Sequence, residues 1–168
     1  MTVSLDLPAL HHARELLLGR GLAVLSAWVL LNLVVSGYHL AHADRRLAAY
    51  YFHGMNVCWG LINAGLAFWG IYHLQLLAPA GLRLADVVQA QLFNENLFLF
   101  NAGLDAAYIA TGYYLQARAA LPRELRPARL VGFGQSLKLQ GGFLLAFDAA
   151  MWGLLHWQGT SWLGLLGR

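Results

Sequence analysis

The sequence predicts an all-α fold: an integral membrane four-helix up-and-down bundle, one transmembrane domain over residues 1–168, with a short amphipathic N-terminal segment. Three observations predict it. Only 11% of the 168 residues are charged and 59% are apolar, where soluble domains carry about 25% charged residues. Long stretches carry no Asp, Glu, Lys or Arg: 23 residues from Gly21 to Ala43 and 36 from Leu47 to Leu82. Polar residues inside the apolar stretches recur at helical spacing, so each helix has one face that lipid cannot satisfy. A span needs about 20 apolar residues, which places helices near 21–42, 48–76, 92–117 and 130–156.

Residues 1–20 form the amphipathic lead-in. Asp6 and Pro8 make a helix start, and Leu7, Leu10 and Leu17 alternate with His11, Arg14 and Glu15, a pattern suited to lying on lipid headgroups. His11 and His12 read as solvated surface residues. In the first span Trp28, Asn32, Ser36 and His39 share one face. The second span lines up His53, Asn56, Gly60, Asn63 and Ala67, leaving Trp59 to lipid or packing. After the Pro79–Gly81 turn, residues 83–91 suit an interfacial turn of helix. The third span carries Asn94, Asn101, Asp105, Tyr108 and Gly112 within roughly 60° of arc. The fourth carries Gln135, Lys138, Gly142, Asp148 and His156, with Gly142, Ala146 and Ala150 spaced for close helix contact and Gln140 on the opposite side.

Asn32, Asn63 and Asp105 fall near mid-span, and Asp148 about one turn from it. An Asp there costs on the order of 2.5–3.5 kcal/mol on insertion scales, so these groups are expected to pair. One connected cluster of Asn32, Asn63, Asn101, Asp105, Tyr108 and Asp148 is predicted. Two carboxyls in one dry slab cannot both stay ionised without a cation. Lys138 is the intramembrane candidate, placed to snorkel or to reach toward Asp105 or His53.

Three function classes follow. The first is a proton, cation or small polar ligand site built from Asp105, Asp148, Asn63, Asn101, Asn32, Tyr108, His53 and Asn56. The second is a structural or accessory subunit whose polar core fixes helix register. The third is a haem- or metal-binding protein using His39, His42 and His53; a transition metal or haem is the cofactor this class implies, and the other two imply none. His73, Glu95 and His156 form a further, looser group at the opposite boundary. No Gly-x-Ser-x-Gly, phosphate loop or nucleic-acid motif occurs, so the chain is not read as an enzyme or a nucleic-acid partner. Its expected partners are the lipid bilayer and a homo-oligomer or larger membrane complex. Cys58 is the single cysteine and excludes an internal disulfide.

The net charge of +3 sits at helix ends. Seven Lys and Arg flank the odd connections against four on the other side, which favours both termini outside. Along YYFHGMNVCWGLIN, NENLFLFNAGLDAAYIATGYYL and GFGQSLKLQGGFLLAFDAAMWG, the chain resembles a group of small four-helix bacterial membrane proteins defined as a domain of unknown function. The resemblance spans the second to fourth helices, about half the chain. It implies a four-helix bacterial membrane protein and supplies no activity, cofactor or site residue; the expected location is the bacterial cytoplasmic membrane.

Overall fold

A computed structural model describes residues 6–122 and 124–166, with side chains up to residue 160. Arg123, Arg168 and the side chain of Trp162, which entered the charge and aromatic pattern above, lie outside the described residues. Four helices and no strand occur among the described residues: α1 (Leu7–His42), α2 (Ala48–His73), α3 (Leu84–Ala119) and α4 (Pro127–Leu166).

Each boundary has a local cause. Asp6 caps α1 by accepting the Ala9 N–H at 3.1 Å, with Pro8 in the first turn. Asp44 accepts the Arg46 N–H at 2.9 Å and tightens the turn into α2. Gly81, at φ 74°, supplies the left-handed residue of the connection to α3. At the start of α3 the Asp86 carboxylate accepts the Arg83 backbone N–H at 3.1 Å and its guanidinium at 2.8 Å. That guanidinium holds the Asp86 carboxyl below its ordinary range. Pro127 opens α4, where its missing N–H costs nothing.

The helices are longer than the apolar runs. The lead-in is not a separate surface helix: residues 7–20 are the first turns of a continuous 36-residue α1. Of its polar residues, His11, Arg14 and Glu15 are buried against the α2–α3 connection and the start of α3, while His12 is exposed. The turn expected at 83–91 is the beginning of α3, and α4 runs on to Leu166.

Packing is uneven. α4 sits between α3 and α2, and α1 pairs chiefly with α2. Across the described residues α2 and α3 stay more than 8 Å apart, Cα to Cα. Close approach of α4 comes from glycines other than the expected ones. Gly142, Ala146 and Ala150 are all exposed. Instead Gly134 of α4 and Gly112 of α3 lie backbone to backbone, Gly141 abuts the Asp105 carbonyl, and Gly132 meets Ala48 and Phe52 of α2. A small apolar core of Leu25, Ala67 and Leu144 is packed by Trp59, Phe143 and Phe147.

Burial runs opposite to that of a protein in water. Among the described residues 12 polar or charged residues are buried against eight apolar ones, while Leu30, Leu31, Val34, Leu61, Phe68 and Phe100 are more than half exposed. By length and composition α1 is the described helix long and apolar enough to cross a membrane, and 22% of its most apolar window is buried.

Candidate functional site

The predicted polar slab divides into two clusters. The first lies among α1, α2 and α4 and centres on Gln140, which is 1% exposed. Its Nε2 donates to Asn32 Oδ1 at 2.7 Å and Asn56 Oδ1 at 3.0 Å, and its Oε1 accepts from Trp28 Nε1 at 3.0 Å. Ser136 Oγ donates to Asn56 Oδ1 at 2.6 Å, and Asn32 Nδ2 closes onto the Trp28 carbonyl at 2.9 Å. The network is closed on itself: each of its amide groups has a protein partner.

The second cluster lies at the inner end of a cleft between α2 and α3. The gap between these helices opens a cavity of about 730 Å³, floored by α1 and α4, a size usual for small-molecule sites. Its walls are mainly apolar, including Leu22, Leu25, Leu66, Leu97, Phe98 and Phe147. Trp59 of α2 and Tyr108 of α3 meet edge to face, ring centroids 4.9 Å apart, and bridge the gap at its inner end. From Asn94 to Tyr108 the lining of α3 rises about 21 Å. Beside that bridge the carboxyl groups of Asp105 and Asp148 face each other within hydrogen-bonding reach. Two carboxyls can share such a bond only if one carries a proton.

The polar groups around this pair are incompletely satisfied. Asn63 Nδ2, Trp59 Nε1 and Asp105 Oδ2 are buried and have no protein partner, apart from any proton Asp148 itself holds. All three residues line the cleft. An unmet buried donor or acceptor costs about 1–3 kcal/mol, and all three of these atoms sit within the packed wall of the cleft. No Lys or Arg is among the lining residues, whereas Glu15, Asp105 and Asp148 are.

At the outer end of the cleft Arg14 and Glu15 form a buried pair with Nη2–Oε1 at 3.3 Å. Arg14 also donates to the Val87 carbonyl, and Glu15 Oε2 accepts the Gln75 N–H at 3.0 Å. His11 meets the Gln75 carbonyl at 2.7 Å and Arg14 at 3.0 Å. Because Arg14 is the donor in that contact, His11 accepts at Nδ1 and donates from Nε2. The α2–α3 connection is thereby tied down over this end. Beside it Gln91 bridges Glu95 and the Leu155 carbonyl, and His156 pairs with Glu95 at 3.0 Å. His73 turns to the Trp69 carbonyl instead of joining them.

Of the expected site residues, Asp105, Asp148, Asn63, Asn101 and Tyr108 come together in the cleft, and Asn32 and Asn56 join the Gln140 network. His53 lies with neither; its Nδ1 meets Ser36 Oγ at 3.2 Å and its ring stacks on His39 at 4.7 Å. His42 turns to the Tyr38 carbonyl, so the three histidines do not converge, and among the described residues no three His, Cys, Asp or Glu do. Lys138 reaches neither Asp105 nor His53: its ammonium donates to Gln116 at 2.7 Å and lies 4.6 Å over the Tyr113 ring. Gln140, Ser136 and Trp59 are the site residues that the single-stripe reading passed over.

A family model described as "Family of unknown function (DUF6992)" matches residues 24–149. The match takes in every residue of both polar clusters and leaves out the Arg14–Glu15 pair. No curated protein and no solved structure matches the chain.

Proposed function

The chain belongs to the family of unknown function DUF6992, and from its own geometry we propose that it is an integral membrane protein holding a cation in the α2–α3 cleft. The membrane part rests on the inverted burial. Hydropathy summed along a helix counts a buried Asn the same as an exposed one, so α2, α3 and α4 score low for the very residues they turn inward. Their outward faces, such as Leu61, Ile62 and Phe68 on α2 and Leu99 and Phe100 on α3, are apolar, as hydrocarbon requires.

The observation carrying the cation site is the buried Asp105–Asp148 pair in a cavity lined by Glu15, Asp105 and Asp148 and by no Lys or Arg, with Asp105 Oδ2 lacking a protein partner. A pair sharing one proton keeps one negative charge. Buried without a partner that charge is costly, and a cation entering the cleft neutralises it. The Gln140 network of Trp28, Asn32, Asn56 and Ser136 carries no ionisable side chain, and its role is to hold α1, α2 and α4 in register.

The test is binding of radiolabelled methylammonium to the purified protein in nanodiscs, with empty discs subtracted. Saturable binding is expected, and Asp105→Asn, which preserves shape and removes the charge, weakens it at least about tenfold, or about 1.4 kcal/mol. Equal binding by wild type and Asp105→Asn contradicts the proposal.

A further inference from the structure

We propose that the occupant of the cleft is a single-chain amphiphile with an amine head, which enters sideways from the lipid between α2 and α3. This inference rests on the cation reading above and names its ligand class.

Access is the first argument. Ile62 and Leu66 of α2 and Leu97 and Leu104 of α3 line the cavity and are at the same time 38–59% exposed, so the cavity opens along the flank of the bundle. The end of the cleft is closed differently: Glu15, itself a lining residue, is buried and tied to Arg14 and to the connection through Gln75. A bare cation in water meets that tied end, whereas a molecule dissolved in the bilayer meets an open gap.

Chemistry is the second. The two aspartates lie at the inner end with Asn63 and Trp59, and the length leading to them is walled mainly by apolar side chains, with Asn94 and Asn101 spaced along α3. A uniformly polar ligand would leave those walls without matching contacts. A cationic head on an alkyl chain meets both halves: the ammonium pairs with the carboxyls of Asp105 and Asp148, and the chain lies against Leu66, Leu97 and Phe98. Chain contacts in lipid add little net hydrophobic energy, since acyl chains are as apolar as leucine. The chain's contribution is to bring the head to a depth that a free ammonium reaches poorly.

The test compares radiolabelled dodecylammonium with methylammonium on nanodisc-held protein, with empty discs subtracted. Leu97→Trp fills the chain path and leaves the carboxyl pair alone. It is expected to weaken dodecylammonium at least about tenfold more than it weakens methylammonium, the remaining methylammonium binding also showing that the variant is folded. Leu66→Trp on the facing wall gives the same split. If dodecylammonium binding is indifferent to both tryptophans while methylammonium still depends on Asp105, the chain assignment is overturned and the cation site stands. If Asp105→Asn leaves dodecylammonium unchanged, or dodecanol displaces it as well as unlabelled amine does, the cation site and the ligand class are both overturned.

Discussion

Gly134→Val is expected to force α3 away from α4 and to cost at least about 3 kcal/mol, the upper end of ordinary overpacking. A Cβ at Gly134 lies 2.6 Å from the Gly112 carbonyl oxygen and 2.8 Å from Gln116 Cγ. The first is backbone and cannot rotate aside, so the helix axes must separate. The same separation pulls Asp148 from Asp105, and cation binding should be lost with it. Denaturant titration in mixed micelles, followed by helical circular dichroism, measures the stability loss. Gly142→Ala is the matched control on the same helix: nothing lies within 4 Å of its added carbon. Its stability should be unchanged or slightly raised, given alanine's higher helix propensity. Equal losses in the two variants would show that the α3–α4 contact is not where it is described.

Gln140→Leu is expected to cost about 2–4 kcal/mol while leaving methylammonium binding nearly intact. Three hydrogen bonds disappear at once, to Trp28, Asn32 and Asn56. Interhelical bonds of this kind are worth about 0.6 kcal/mol on average and up to about 1.7 in lipid. Leaving the Trp28 N–H and Asn32 Oδ1 unmet adds a desolvation cost. Replacing Asn32 by leucine as well removes one of the abandoned partners, so the double variant should be more stable than the two single losses sum to. A Gln140→Leu protein of normal stability that has lost cation binding would reverse the roles assigned to the two clusters.

The four helices were readable because polar residues recur at helical spacing inside long charge-free runs. On α2 the face His53–Asn56–Gly60–Asn63–Ala67 turns inward from Asn56 onward, since that helix buries a single side. The same rule misled on α4. That helix is sandwiched between α3 and α2 and buries two sides, so Gln140, 100° from the Gly141 that touches α3, is the hub of one network and not a misfit. The assumption of one stripe also put Gln135 inside and Gly142 at a contact, and both are exposed. The division of the slab in two was hidden for a related reason: periodicity gives the direction of a side chain but not which neighbour it meets. The N-terminal turns were misjudged because His11, Arg14 and Glu15 look like surface residues until the α2–α3 connection folds over them. Trp59 was assigned to lipid or packing by its apolar body, and only the buried, unmet N–H marks it as part of the cleft.

Everything above depends on outward faces meeting hydrocarbon while carboxyls and amides look inward, and Cys58 offers a direct probe. It is the single cysteine, lies well inside α2 and is exposed. A nitroxide attached there, with the protein in lipid nanodiscs, should relax readily with dissolved oxygen and hardly at all with a water-soluble nickel chelate. A label reached as freely by the chelate as by oxygen would place that face in water and contradict the account.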